Sequence, residues 1–379
     1  MEKSRIDSFL EHFKNLKDPR INRKKLYPLE EILLVALCAV ICGAEGWTDF
    51  KVFGNEKLEF LKTYLPFNNG IPSRLTFSRV FCALNPERFK ECFIEWVKSF
   101  QEAVQNVISI DGKTLRHSFD TAKDKPASHM ISAFASEARL VLGQEKVDDK
   151  SNEITAIPKL LKLLDIKGAI ITLDAMGCQK KIAKEIVEKE ADYVLSLKEN
   201  HGNLYDDVKT FFEFERKEKF RDTDFDYHEE LNKEHGRIES RKCWISSQID
   251  WLEDKDKWAG LNTIAMIEST RTIKDKTTKE TRLFIASLPQ NAELCASVVR
   301  SHWGIENSLH WVLDVVFRED DSRIREGNAA ENMAIIRHTA LNMLQNAKNK
   351  EDKPISIKAL RKKAGWGNNS LSKILTSKF

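Results

Sequence analysis

Hydrophobic spacing divides the chain into stretches of different period. Through residue 103 the apolar positions recur at helical intervals. They predict helices over Glu30–Ala44, Asp49–Tyr64, Arg74–Leu84 and Glu87–Ala103. Pro28 with Glu30–Glu31 starts the first, and Ser73 is placed to cap the third. From Val104 the period shortens. Val107–Ile110, Met130–Ala135 and Leu140–Val147 read as strands, followed by a helix (Ala156–Leu164), a strand (Ala169–Leu173), a helix (Lys180–Lys189) and a strand (Tyr193–Leu197). Such an order predicts a mixed α/β sheet preceded by a small all-α domain. Between about 200 and 290 the chain turns polar, helical around Leu204–Glu218, with strand-like pieces at Arg241–Ser246, Thr263–Thr270 and Leu283–Ala286. This reads as a β-rich insertion, after which Glu293–Asn346 returns to helix. The expected organisation is a helical domain (1–103), an α/β domain (104–346) and a tail (347–379).

One stretch carries more chemistry than a surface helix needs: RSHWGIENSLHWVLDVVFREDDSRIR, Arg300–Arg325. Ile305, Leu309, Val312, Leu313 and Val316 fall on one helical face, while His302, Glu306, His310 and Asp314 recur every four residues along its flank. Core packing would hold a glutamate so placed, with its carboxylate turned to a cleft. An amphipathic core helix with solvated charges meets the same pattern.

Composition narrows the partners only slightly. With 31% charged and 41% hydrophobic residues and a net charge of +3, the chain is ordinary and globular. Charge is concentrated at its ends. Arg20, Arg23, Lys24 and Lys25 cluster early, and residues 347–379 hold nine Lys/Arg against Glu351 and Asp352. Basic ends suit a polyanion. Seven scattered cysteines without a CxxC pair argue against a disulfide framework or zinc ribbon and fit a reduced, cytoplasmic compartment. The start MEKSRIDSFLEHF shows no apolar signal region, so no secretory signal is expected. Ile32–Gly43, the longest apolar run, has 12 residues, too short for a bilayer, and reads as a buried helix.

Asp111 and Asp174 each follow a predicted strand, and Glu306 sits on the later helix. Strand ends of a parallel sheet are where ligand sites gather. Three carboxylates can hold a pair of Mg²⁺ ions, the arrangement that stabilises attacking and leaving oxygens in phosphoryl transfer. Asp before Gly at a strand end is also ordinary turn chemistry. His302, Glu306 and His310 lack the HExxH order of a zinc site. No GxxxxGK[ST] or GxGxxG loop is present, and no serine has a nucleophile-elbow setting.

Read together, the motifs SIDGKTLRHS (109–118), KSNEITAIPKLL (150–161), TLDAMGCQKKIA (172–183), DYVLSLKENH (192–201), HGRIESR (235–241) and RSHWGIENSLHWVLDVVFREDDSR (300–323) resemble the insertion-sequence DDE transposases of the H-repeat-associated (Rhs-linked) type. DPR (18–20), YPLEEILLVALCAVICGAEGW (27–47) and IPSRLTFSRVF (71–81) resemble the associated domain that precedes the catalytic one. The resemblance implies a ribonuclease-H-like mixed sheet with a β-rich insertion, and Asp111, Asp174 and Glu306 as catalytic metal ligands. It implies two Mg²⁺ ions, with Mn²⁺ as substitute, and double-stranded DNA as partner, both element ends and target. The helical residues 1–103 would bind DNA ends. Lys113, Arg116, Lys198, Arg237, Arg300 and His302 would face DNA, and Trp303 and Trp311 are candidates for base stacking or core packing. A homodimeric synaptic complex, no membrane association and a bacterial cytoplasmic location, nucleoid-associated when DNA is bound, follow from the same resemblance. A non-cutting DNA-binding regulator and a nuclease that does not join strands are the alternatives.

Overall fold

Helix signals at the start of the chain become helices because each has an apolar face to bury, and side-chain caps at Ser4, Ser73 and Asn85 start three of them. In the computed structural model, which describes residues 4–22, 25–100, 107–121, 125–148, 152–221, 223–234, 236–274 and 276–377, the first helix, α1 (Arg5–Phe13), is capped by the Ser4 side chain. There follow α2 (Leu29–Ile41), α3 (Trp47–Glu56) and the single turn α4 (Leu58–Leu61), so the helix expected over Asp49–Tyr64 breaks at Lys57. Ser73 caps α5 (Arg74–Ala83), and Asn85 caps α6 (Pro86–Lys98) with Pro86 in the first turn. The expected end of that helix at Ala103 and the boundary at 103/104 lie outside the described residues, as do Arg23 and Lys24 of the basic cluster.

The sheet begins with β1 (Val107–Thr114), β2 (His129–Ala135) and β3 (Leu140–Lys146), an antiparallel meander. Then come α7 (Glu153–Leu163), β4 (Ile170–Leu173), α8 (Lys180–Glu188), β5 (Asp192–Leu197) and α9 (Asn203–Lys217). β4 runs parallel to both β1 and β5. The polar region supplies β6 (Asp226–Glu234), β7 (Arg237–Ser246), β8 (Thr263–Ile273) and β9 (Lys276–Ala286). These do not fold as a separate sheet. Leu283–Ala286 of β9 pairs antiparallel with Val194–Leu197 of β5, giving nine strands in the order β3-β2-β1-β4-β5-β9-β8-β7-β6. β6 was not expected. Its sequence, DYHEELNKE, lacks apolar alternation, and backbone pairing to β7 along the sheet edge defines it.

Side-chain alternation assigns the two faces. Val107, Val194, Cys243, Ile245, Ala265 and Phe284 form one apolar cluster with Cys295, Val298 and Val299 of α10 (Ala292–Ile305), which lies across that face. Ile108, Ile110, Ile171 and Leu173 point the other way, into the main core shared with α7 and α8. Beyond α10 come α11 (Trp311–Val315), α12 (Ala329–Asn349), α13 (Ile357–Trp366) and α14 (Asn368–Thr376).

Both chain ends build the helical body. Ile32–Ile41 is buried throughout, as its apolar run predicts, because C-terminal helices cover α2 as well as α3 does. Arg361 on α13 donates to the Val40 carbonyl at 2.8 Å, Asn332 on α12 donates to the Phe81 carbonyl at 2.8 Å, and Lys57 donates to Asn368 at 2.9 Å. The region expected as a basic tail is therefore a folded helical pair with Leu360, Ala364, Leu371, Ile374 and Leu375 buried. One continuous core runs from Ile6 to Leu375. Arg20, from the early basic cluster, is held by Asp18 and the Tyr27 carbonyl. All seven cysteines are free thiols. Among the described residues no helix is long and apolar enough to cross a membrane.

Candidate active site

The register of the central strands brings the two aspartates together. Ile110 of β1 lies opposite Leu173, the last residue of β4, so Asp111 and Asp174 are the next positions on neighbouring parallel strands. Both share the face covered by α10, since Ser109 and Thr172, two residues earlier, are tied to that helix. The Thr172 hydroxyl donates to Ser109 Oγ at 3.1 Å and hydrogen-bonds His302 Nδ1 at 2.9 Å, while Ser109 and Ser136 donate to the Ser301 carbonyl. Asp111 does not end its strand, as expected from sequence. β1 continues to Thr114 along β2, and it is β4 that stops.

Gly112 meets a steric requirement of its own. A Cβ there would lie 2.1 Å from Glu153 Oε1 and 2.6 Å from His129 Nε2, which pair at 2.6 Å on the opposite sheet face. The Asp-Gly pair is thus more than turn chemistry.

Glu306 arrives from the helix that crosses this edge. α10 does not run on as a plain α-helix. Glu306–His310 forms a π turn, with Trp311 N–H donating to the Glu306 carbonyl. Such turns recur at functional sites. Donor atoms of Asp111, Glu306 and His310 all lie within 4.8 Å of one another. Asp174 is not in that trio but lines the same cleft of about 460 Å³, with Asp111, Glu306, His302, Ser196, Lys198, Arg282 and Trp303. Asp174 Oδ1 accepts from the amides of Met176 and Gly177 at 3.0 and 3.1 Å, which fixes its rotamer.

The electrostatics favour an ionised Asp111. Burial pushes its carboxyl up, but His310, then His302 and the Gly112 amide, outweigh this and hold it below the usual carboxylate range. Burial holds the His302 imidazole below its ordinary value, against the pull of Asp111 and Asp174. His310 is 5% exposed, and neither ring nitrogen makes a hydrogen bond among the described residues. Its Nε2 is 3.3 Å from Asp111 Oδ2. Two carboxylates beside an orphaned buried imidazole fit a divalent cation.

The other predicted contacts separate. Lys113 is turned inward, and this corrects the expectation that it faces DNA. Its amine is ion-paired with Asp314, with Glu319 at 2.7 Å and with Asp320 at 3.6 Å, because β1 continues inward beneath the segment after α11. Glu319 is itself buried and also held by Arg337 at 3.2 Å. Arg116 remains open to solvent beside Asp320. Lys198 is exposed at the mouth of the cleft. His302 faces the cleft from inside, fastened to Thr172. Arg300 is paired with Glu230 and Arg237 with Glu239, both on the outer half of the sheet. His235 lies outside the described residues. Trp303 and Trp311 are half exposed, so core packing does not account for them, and the Arg282 guanidinium lies over the Trp303 ring at 4.3 Å. The sequence reading passed over Arg282 because its apolar run starts one residue later.

The family description "Transposase DDE domain" matches residues 102–343, and "DDE_Tnp_1-associated" matches residues 10–97. The chain belongs to the DDE transposase family. Its relatives put it with the H-repeat-associated type. It is 43% identical over 378 residues to "H repeat-associated putative transposase YhhI" of Escherichia coli K12, covering 98% of both chains. It is 41% identical over 377 residues to "Putative transposase YncI" of Escherichia coli O157:H7, covering 98% of this chain and 95% of that one. Against the cryo-EM structure of the piggyBac transposase synaptic complex with hairpin DNA the TM-score is 0.47 at 12% identity, covering 98% of this chain and 76% of that one. Against this family frame, the cleft with Asp111, Asp174 and Glu306 is the candidate site of DNA chemistry in the transposase.

Proposed function

We propose that the protein cuts DNA at the ends of an insertion sequence and transfers the freed 3′-OH to target DNA. The observation that carries this reading is the meeting of Asp111, Asp174 and Glu306 in one cleft of a DDE-family chain. The strand order β3-β2-β1-β4-β5, antiparallel then parallel, supports a ribonuclease-H-like catalytic core. Asp111, Asp174 and Glu306 would hold two Mg²⁺ ions, for which Mn²⁺ can substitute. Bound there, the ions would activate water or a 3′-OH and neutralise charge on the scissile phosphate. The chain's own part is to fix the carboxylates. Strand register sets the two aspartates, and α10, strapped to β1 and β4 through Ser301 and His302, sets Glu306. Lys198 and Arg282, which line the cleft, would meet phosphate oxygens.

The outer half of the sheet supports a duplex partner. β9 runs on from Leu283, its last partner on β5, back to Lys276, so the two hairpins project roughly 20 Å beyond the catalytic edge. By strand register, Arg237, Arg241, Arg271 and Arg282 all fall on the α10 face of this arm. Phosphate neutralisation by such residues gives binding that falls steeply with salt. The N-terminal region 1–103 would engage the element ends, and cutting two ends together calls for a homodimeric synaptic complex, working in the cytoplasm on nucleoid DNA.

The test is cleavage of flanking-end DNA with Mg²⁺ by the wild type and Glu306→Gln, followed by strand transfer from a pre-cut 3′-OH end. Cutting and joining by the wild type alone is expected. Hydrolysis without joining would turn the reading to a nuclease. Tight binding by both proteins without cutting would turn it to a regulator.

A further inference from the structure

The buried imidazole beside the carboxylates has no task in the proposed chemistry. We infer that His310 is a direct ligand of the metal centre, forming with Asp111 and Glu306 a mixed nitrogen–oxygen position that prefers manganese(II) to magnesium. This rests on the metal-dependent reading above. It adds a ligand and a selectivity that three carboxylates alone would not supply.

The geometry argues for it in three ways. The donor atoms of Asp111, Glu306 and His310 lie within 4.8 Å of one another, and Asp174 is not in that group. His310 is 5% exposed with both ring nitrogens lacking a hydrogen bond among the described residues, although buried imidazoles are ordinarily satisfied. Nε2 lies 3.3 Å from Asp111 Oδ2, an electrostatic approach outside hydrogen-bond alignment, so nitrogen and carboxylate face a position that a cation could share. Thirdly, the π turn spans these residues, opening at Glu306 and closing at His310. The local departure from α-helix places both side chains over β1.

Chemistry then distinguishes the two ends of the cleft. Magnesium takes hard oxygen donors and holds its waters, whereas first-row transition ions also accept imidazole; manganese(II), which shares magnesium's affinity for carboxylate oxygen yet takes nitrogen more readily, matches a mixed set. A position bounded by Asp111 and Asp174 offers carboxylate oxygen. One bounded by Asp111, Glu306 and His310 offers oxygen and nitrogen. The pair of sites is therefore unequal, with manganese entering first on the Glu306 side.

The experiment is manganese binding to the full-length protein without DNA, read by electron spin-echo modulation from ligand nitrogen. Nitrogen coupling is expected in the wild type and in His302→Gln, and absent in His310→Gln. Manganese affinity of His310→Gln should fall about tenfold, with magnesium affinity changed less. Bound manganese without nitrogen coupling in the wild type would overturn the inference while leaving the metal reading intact. That spectrum needs no variant, so it decides even if His310→Gln folds poorly. Coupling that survives in His310→Gln, or vanishes in His302→Gln alone, would also overturn it. No manganese binding at all would sink the metal reading and the inference together.

Discussion

The two halves of the nine-stranded sheet obey different rules. In β1, β4 and β5 the strands are mostly apolar and buried, and their few internal polar residues, Ser109 and Thr172 among them, are hydrogen-bonded beneath α10, while the charged residues gather where the strands stop. In the projecting parts of β6–β9, charged residues and threonines line both faces, and cross-strand pairs such as Lys279 with Glu268 and Arg271 with Glu239 replace a core. The first half positions atoms. The second presents a surface. A small displacement in β1 or β4 would move Asp111 or Asp174, whereas the arm should accept exchange of one surface charge for another.

Substitutions should separate the halves in a graded way. The largest effect is expected at the catalytic edge. Asp111→Asn or Glu306→Gln should lower end cleavage by on the order of 10³-fold or more while leaving end binding, measured by gel shift, within a few-fold. Cleavage at the wild-type rate would refute the assignment.

Next comes the buried ion cluster that ties β1 to the segment after α11. Glu319→Ala leaves Arg337 buried without its carboxylate, and Lys113 with only Asp314 and Asp320, and should cost about 3–5 kcal/mol in urea unfolding. Despite burial, which pushes its carboxyl up, Lys113 and Arg337 hold Glu319 down at about 2, against an ordinary 4.5. Folding depresses this pKa, so the stabilisation is complete above about 4.5 and is lost as pH falls from there toward 2. The stability difference between wild type and Glu319→Gln should narrow across that window. A constant difference would mean Glu319 contributes by packing alone.

Gly112→Ala should destabilise by about 1–3 kcal/mol, since the added carbon meets the His129–Glu153 pair. Thermal unfolding would show it, and an unchanged midpoint would mean the pair moves aside. The smallest effect is expected on the arm. Arg271→Ala and Arg237→Ala should change stability by less than about 0.5 kcal/mol. Each should still reduce the salt dependence of DNA binding by about one unit of slope. A large stability loss there would erase the contrast between the halves.

How much of this was legible follows the range of the forces involved. Ser73 and Asn85 are local caps, and the buried run at Ile32–Ile41 is composition, so both could be read from a few neighbouring residues. β6 could not be, because its residues carry no alternation and its conformation is imposed by β7. Lys113 illustrates the opposite failure. A lysine two residues after a candidate ligand reads as a phosphate contact, yet Asp314, Glu319 and Asp320, some two hundred positions away, enclose it. His310 was visible in the four-residue series with Glu306. Its burial beside Asp111 was not, because that depends on how α10 crosses β1.

By itself the sequence determined which residues could do chemistry and which local elements would carry them. Carboxylate identity, capping and apolar periodicity are properties of residues and near neighbours. Only the tertiary structure decided that β4 stops level with Asp111, that the polar insertion extends the same sheet, and that the basic end of the chain folds over α2. Those outcomes depend on strand register and on burial shared between distant segments, and neither is encoded within any one of them.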